Sequence, residues 1–236
     1  IKYVDQMNSP AGYSMLVKLD ETGDTIWTRK YEYDEYGAWA SNIYETSDGN
    51  YLFISSKMMS NTIFKIDSQG DTIWTYNNNL PSTAISCIKE TIDNKYLIIS
   101  YGAKESYVTK LDTDKSIIWS KEFTGSEYGG TLYNAFNLSN GDIILVGESG
   151  GGEYETPMNS HGEEDIWILR INSNGEIIDS NLYGGSYSES YTDSYLLNNG
   201  RILIISSTGS SDGNVPENNS NPDSRGLWIF TLGIEL

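Results

Sequence analysis

The chain has 236 residues, 38% of them apolar, which is enough to bury a core. Its 33 acidic residues against 15 basic ones leave a formal net charge of −18, which repels a phosphate backbone or an anionic lipid surface and argues against nucleic acid or membrane-surface binding. No apolar run is long enough to cross a bilayer as a helix and no signal peptide is present, although the start at Ile1 rather than Met leads us to expect a removed or omitted upstream segment of a longer chain.

Eighteen tyrosines and six tryptophans, set among many Ile and Thr, suit pleated half-buried surfaces, and no stretch carries a helical period. Residues 1 to 6, 13 to 20 and 24 to 31 read as three strands. The next four are 38 to 46, 51 to 56, 62 to 67 and 72 to 77, with Ser47-Asp48-Gly49-Asn50 and Ser68-Gln69-Gly70-Asp71 as the turns. Such turns supply the positive φ that tight hairpins require, so successive strands pair antiparallel. The pattern returns at 83 to 92, 96 to 101, 106 to 112 and 116 to 123, and again at 131 to 139, 142 to 148, 165 to 172 and 176 to 183. A last set covers 190 to 198, 201 to 207 and 226 to 232, leaving only Ile234 to Leu236 for a fourth strand.

Underlying this series is one repeated phrase: LVKLDETGDTIW at 16 to 27, FKIDSQGDTIW at 64 to 74, VTKLDTDKSIIW at 108 to 119 and ILRINSNGEIID at 168 to 179. Its basic residue recurs at Lys18, Lys65, Lys110 and Arg170, spacings of 47, 45 and 60 residues, in the range of arrays of supersecondary units. Four hairpin-linked strands per unit make a propeller blade. The expected fold is therefore all-β, a single β-propeller domain over residues 1 to 236, with about five blade-like sheets of four antiparallel strands. The first lacks its innermost strand and the last lacks most of its outermost one.

The phrase KLDETGDTIW and its copies resemble the tryptophan-docking repeat of quinoprotein-like propellers. The resemblance implies that Trp27, Trp74 and Trp119 pack between neighbouring blades, whereas Asp179 takes that place in the fourth copy, so that this junction is expected to pack differently. Over nearly the whole chain, EDIWILRINSNG (164 to 175), LYGGSYSES (182 to 190) and ETSDGNYLFISS (45 to 56) resemble tandem repeats of secreted and cell-surface proteins of Bacteroidetes-type bacteria. That likeness implies an exported propeller displaying a binding surface, at the cell surface, associated with the outer membrane or extracellular, and it brings no catalytic residue with it. Departures are the replacement of the repeat lysine by Arg170 and Thr231, and a Gly-Gly motif that survives mainly at 129–130 and 184–185.

Little in the chain suits catalysis. The sole histidine, His161, lies in the polar segment SHGEED and rules out a multi-histidine metal site from this chain. The sole cysteine, Cys87, sits in an alternating run and reads as a small buried hydrophobe. On predicted inner strands, Glu45, Glu90, Glu189 and Asp193 are the carboxylates that a glycosidase-like pair would need, but Glu45 and Glu90 occupy equivalent repeat positions, which suits a scaffold. The chain is thus expected not to be an enzyme.

The repeats differ most between their second and third strands, where short connections swell to residues 150 to 164 and 209 to 226 in the last two blades. These loops should meet on one rim and form the contact surface. Tyr154, Glu155, Met158, His161, Glu163, Glu164, Asp212, Asn214 and Asp223 are the expected ligand- or partner-binding residues. Their carboxylates and amides are oxygen donors of the kind calcium takes, without an EF-hand spacing, and no other cofactor is expected. Tyr154, Met158 and Trp167 offer an apolar platform, although Trp167 and Trp228 occupy matched strand positions that favour packing. Tyr31, Tyr33, Tyr36 and Trp39 could extend that platform. The expected function is binding or scaffolding of a protein partner at the cell envelope through these acidic loops. The alternatives are a glycan-binding or glycosidase-like propeller using the axial funnel, and a structural subunit of an outer-membrane assembly.

Overall fold

The fold rests on eighteen strands seen in a computed structural model, which describes residues 2–4, 13–32, 39–56, 61–77, 84–125, 129–150, 161–216 and 225–233. The first sheet holds β1 (Lys2–Val4), β2 (Tyr13–Leu19) and β3 (Thr25–Glu32). The second holds β4 (Trp39–Glu45), β5 (Tyr51–Ser56), β6 (Asn61–Ile66) and β7 (Thr72–Asn77), and the third β8 (Ala84–Glu90), β9 (Tyr96–Tyr101), β10 (Glu105–Leu111) and β11 (Ile117–Thr124). In the fourth are β12 (Gly130–Asn137), β13 (Ile143–Ser149), β14 (Asp165–Ile171) and β15 (Ile177–Tyr183); the fifth has β16 (Glu189–Leu196), β17 (Arg201–Thr208) and β18 (Gly226–Gly233). Every pairing is between sequence neighbours and antiparallel, so each sheet is a meander. These are the blades of a β-propeller. Among the described residues three are complete, the first shows three strands without an inner one and the fifth shows three strands.

Each hairpin between the two outer strands is set by its turn. Asp67 Oδ1 accepts from the backbone N–H groups of Gln69 and Asp71, and Gly70 donates to the Asp67 carbonyl with φ at +83°. The same shape recurs at residues 20–24 and 172–176. At 112–116 Lys115 takes the glycine's place with φ at +73°. A register shift lies beside each of these turns, at Lys18/Leu19, Lys65/Ile66, Lys110/Leu111 and Arg170/Ile171, so the repeat carries a bulge as well as a turn.

The cores lie between blades. Residues of the third and fourth sheets share one cluster, including Ile99, Phe123, Leu145 and Trp167, and the other adjacent pairs each build their own. This is why the second strands of the second, third and fourth sheets, such as YLFISS, are buried on both faces instead of alternating. Trp167 and Trp228 are both core residues, as their matched positions predict, and Tyr31 is buried against Phe53 and Phe64. Tyr33 and Tyr36 lie outside the described residues. Cys87 is fully buried and burial pushes its thiol up to about 11, so it behaves as a small apolar side chain.

Two polar devices repeat along with the core. Lys65 and Lys110 reach back to Asp48 and Asp93, at 2.7 and 2.9 Å, in the turn between the first and second strands of their own blade, and Arg170 reaches Asp142 at 2.7 Å. Where Thr231 stands in the fifth blade, the cation comes instead from the neighbouring strand: Arg201 donates to Thr231 Oγ1 and its carbonyl. The second device is the docked tryptophan. Trp27 and Trp119 donate through Nε1, both at 3.0 Å, to the carbonyls of Ser68 and Ser173 in the next blade's outer turn. Trp74 packs edge-on to Tyr96 with Lys115 over its ring. Asp179 makes no such plug, and the junction of the fourth and fifth blades holds a cavity of about 320 Å³ bordered by Ile144, Ile168, Asp179, Ile202 and Leu232.

Candidate functional site

All four described inner strands, β4, β8, β12 and β16, break register at one equivalent point, between Ser41 and Ile43, Ile85 and Cys87, Leu132 and Asn134, and Tyr191 and Asp193. Each leaves one unpaired residue: Asn42, Ser86, Tyr133 and Thr192. A bulge bends the strand and re-aims its side chains, and here it turns polar groups from four blades toward one place. Together they line an axial cavity of about 690 Å³. A second cavity, of about 460 Å³, shares Asn42, Asn134 and Asp193 with the first and continues past Tyr44, Lys89 and Tyr195.

One wall of this funnel is tyrosyl. Tyr133 and Tyr191 stack with centroids 4.9 Å apart and planes 4° off parallel, and Tyr101 meets Tyr133 edge-on at 6.3 Å. Glu148 on β13 holds the pair from behind, accepting from the Tyr133 hydroxyl at 2.8 Å and the Tyr191 N–H at 2.7 Å. Burial pushes both phenols up, so they stay protonated donors, and burial likewise raises the Glu148 carboxyl despite those two bonds. Tyr191 and Asn134 both bond to Ser194, fixing the fourth and fifth blades to each other across the axis-facing surface.

Small polar groups line the rest: Ser41, Asn42, Ser56 and Asn61 of the second blade, Ser86 of the third, and Asn134 and Thr192 beside the tyrosines. Asn42 is a special residue there. Its φ is +47°, in the left-handed region that an asparagine tolerates better than most residues, and its buried Oδ1 has no protein donor. Asp193 is the carboxylate of the lining, accepting from its neighbour's Ser194 N–H at 2.8 Å and from the Tyr195 hydroxyl.

The other inner-strand carboxylates do not join it. Glu90 is buried and structural: its Oε2 accepts from Ser47 N–H in the preceding blade and its carbonyl from Asn137 in the following one. Glu45 is exposed at the strand's end. Glu189 is fully buried beneath the rim, where Gly185 N–H and Thr208 Oγ1 donate to it.

On that rim, the connections around 161–165 and 209–215 do meet, and they close over the crossing segment Gly184–Ser188. Asp212 accepts from the Ser186 N–H at 2.7 Å and from its hydroxyl, while Asn214 and Gly184 exchange two bonds. The His161 N–H donates to Asp165 at 2.8 Å, and Ser188 donates to Glu163 at 3.2 Å. His161, Glu163, Glu164 and Asp212 are exposed, beside Tyr187 at 49% exposure. Tyr154, Glu155, Met158 and Asp223 lie outside the described residues, as does the side chain of Trp39. Among the described residues, no three His, Cys, Asp or Glu side chains are grouped to hold a metal ion.

Asp193 apart, the funnel residues escaped the sequence reading, although a signal was present. Each bulge breaks the alternation of its strand, as in Ser41-Asn42 or Tyr191-Thr192-Asp193, where successive polar residues cannot all face one side of a regular strand.

No family model matches the chain, and no curated protein matches it. Solved structures do. The luciferin-regenerating enzyme superposes with a TM-score of 0.58 at 11% identity, over 98% of this chain and 77% of that one. A catalytically inactive virginiamycin B lyase from Staphylococcus aureus with quinupristin gives 0.53 at 13%, over 100% and 74%. Cobalt-substituted Synechocystis ACO gives 0.50 at 15%, over 93% and 56%. The chain spans about half the length of several others that it matches. At such identities the likeness shows the fold, a β-propeller. It also corrects the expectation that this chain is not an enzyme: that inference came from missing residue motifs, and the same architecture carries enzymes whose sites no such motif in this chain would reveal.

Proposed function

We propose that this propeller binds a neutral, hydroxyl-rich ring compound, of the carbohydrate class, in its axial funnel. The observation that carries the reading is the asymmetry of the lining. Tyr101, Tyr133 and Tyr191 come from the third, fourth and fifth blades, while the second contributes only hydroxyl and amide groups, around a volume of about 690 Å³, within the size of small-ligand sites. A sugar ring has one face of C–H groups suited to an aromatic side chain and a rim of hydroxyls suited to Ser and Asn. The unpartnered Oδ1 of Asn42 adds an acceptor that a ligand hydroxyl would satisfy, relieving about 1–3 kcal/mol of uncompensated burial. Asp193 would be the charged anchor. Hydrolysis by paired carboxylates needs a second acid beside the bond, and the lining contains only Asp193 among the described residues.

The test is saturation-transfer NMR with a panel of neutral oligosaccharides, cellotriose, maltotriose, xylotriose and chitotriose, on the intact chain and on Asn42→Ala and Asp193→Ala. Transfer to at least one sugar, reduced about tenfold or more in affinity by either substitution with the far-ultraviolet spectrum unchanged, supports the funnel. Transfer that ignores both substitutions, or no transfer to any sugar, refutes it. Product formation in the same tubes, lost in Asp193→Asn, would extend binding to turnover.

A second reading is favoured by the meeting of the two connections on one rim. His161, Glu163, Glu164 and Asp212, exposed around Tyr187, form an acidic surface with an aromatic centre. Aromatic anchors with a charged surround suit a protein partner, and this surface would engage a basic partner at the cell envelope.

A further inference from the structure

Beneath the rim lies a buried acid pair that the funnel does not use. Asp165 opens β14 and Glu189 opens β16, and both are 0% exposed. Gly184 separates them so closely that a Cβ there would stand 1.9 Å from Asp165 Oδ1 and 2.2 Å from Glu189 Oε2, which puts the two oxygens no more than about 4 Å apart. Their partners are unequal. Glu189 accepts on both oxygens, from Gly185 N–H at 2.8 Å and Thr208 Oγ1 at 2.7 Å. Asp165 accepts at Oδ2 from the His161 N–H, while its Oδ1 is buried with no donor.

Two carboxylates this close in a dry site cannot both carry charge. Something positive must lie between them, and the choices are a cation or a proton. Calcium takes six to eight oxygens, and no third acid or histidine joins this pair among the described residues. A proton needs only two oxygens. Because both oxygens of Glu189 already have donors and Asp165 Oδ1 has none, the proton belongs on Asp165.

We propose that Asp165 and Glu189 share a single proton, donated from Asp165 Oδ1 to Glu189 Oε2, and that this proton locks the rim clasp, making the rim a pH-sensitive surface. The pair joins the three parts of the clasp. Asp165 is tied to the 161–164 bend, Glu189 follows the crossing segment and its N–H donates to the Glu164 carbonyl at 2.7 Å, and Thr208 leads into the 209–215 loop. Losing the proton leaves two buried charges, which separate most readily by releasing that loop and bend. Burial, followed by the neighbouring Glu189, raises the Asp165 carboxyl to about 6, against the lowering effect of the His161 and Gly162 N–H groups and of any charge on His161. The remaining charged groups of the clasp, Glu163, Glu164 and Asp212, are all acidic and exposed, so none of them replaces the proton.

The sign follows from linkage. A carboxyl whose folded value lies above its ordinary 3.8 holds the proton more tightly when the clasp is closed, so closure weakens as pH rises toward 6 and reaches a floor above it. The experiment is amide hydrogen exchange at Gly185, Ser186, Tyr187 and Glu189 from pH 5 to 8, corrected for intrinsic rates, on the whole chain and on Asp165→Asn. An asparagine supplies the same donor to Glu189 permanently. In the parent chain protection should fall about tenfold between pH 5 and 8, and in Asp165→Asn it should stay flat and exceed the parent at pH 8. Parallel profiles for the two proteins would overturn the shared proton. Should the variant not fold, carboxyl-carbon NMR of the parent labelled at aspartate decides alone: one resonance titrating near pH 6 supports the proposal, and none titrating above pH 5 refutes it.

Discussion

The ion pair between Lys110 and Asp93 makes an unequal demand on its two partners, and substitution should expose the inequality. Lys110 is 6% exposed at its side chain and Asp93 is 50% exposed, with Nζ and Oδ2 at 2.9 Å. Burial works to raise the Asp93 carboxyl, but the Thr91 hydroxyl and the Lys110 ammonium outweigh it and hold the group below its ordinary range. In Lys110→Met the aliphatic stem keeps its packing and Asp93, half in water, loses only a partner. The loss should be about 1 kcal/mol, as for a surface pair. Asp93→Ala instead strands an ammonium in a nearly dry site, which costs about 3 kcal/mol or more. At a urea slope of about 3 kcal/mol/M the midpoints should fall by about 0.3 M and about 1 M, respectively. Equal losses, or a larger loss in Lys110→Met, would refute the argument that burial of one partner decides the energetics. The pair also fixes a pH sign: the lowered Asp93 value adds stability above its unfolded range, and that stability is lost as pH falls through the folded one.

Two other substitutions test the frame around the sites. Gly184→Ala drives a methyl group into Asp165 Oδ1 and Glu189 Oε2 and should cost about 3 kcal/mol in urea unfolding, whereas Gly200→Ala, at φ +77° with nothing within 4 Å, should cost only the backbone strain of about 1 kcal/mol; equal losses would show that the acid pair yields freely. Trp119→Ala removes the Nε1 bond to the Ser173 carbonyl and the cover over Gly175, and should cost about 2–3 kcal/mol by the same assay, with Trp119→Phe recovering the packing share but not the bond.

The strands were legible because the turns are written in residue chemistry. Asp-x-x-Gly-Asp and Ser-Asp-Gly-Asn each need particular side chains and a positive φ, so every outer hairpin and its antiparallel pairing could be placed from sequence. The rim could be placed as well, since loop length alone separates the last two blades from the others. What stayed hidden was the assignment of polar residues to walls. Glu90, Glu189 and Asp193 have the same chemistry on paper, yet one bridges blades, one is locked beneath the rim and one lines the axis. Nothing local distinguishes them: the difference arises from a bulge in each inner strand and from which neighbouring blade supplies the donor. Glu148 shows the same limit from the other side, since its role behind Tyr133 and Tyr191 depends on β12 and β16, separated from it in sequence and adjacent only after pairing and docking.

The repeat therefore divides the chain's chemistry by constraint. Positions that build the ring recur from blade to blade: the docked tryptophan in the first three, the Lys or Arg reaching an Asp in the second to fourth, and the outer turn with positive φ in the first four. Where one of them is lost the outcome differs: Arg201 donates to Thr231 in the fifth blade, whereas Asp179 leaves a cavity beside the fourth. The bulged inner position is equally fixed in backbone geometry but free in side chain, reading Asn42, Ser86, Tyr133 and Thr192 around the axis. A position that every blade must form, yet none needs for packing in the same way, is where selection can change a ligand without changing the fold. In this chain the lining tyrosines fall on the third, fourth and fifth blades, while the second contributes only Ser and Asn, so the funnel has two unlike sides. A ring with unlike faces would enter it in one orientation only, with its apolar face against Tyr133 and Tyr191 and its hydroxyls toward Asn42 and Ser86.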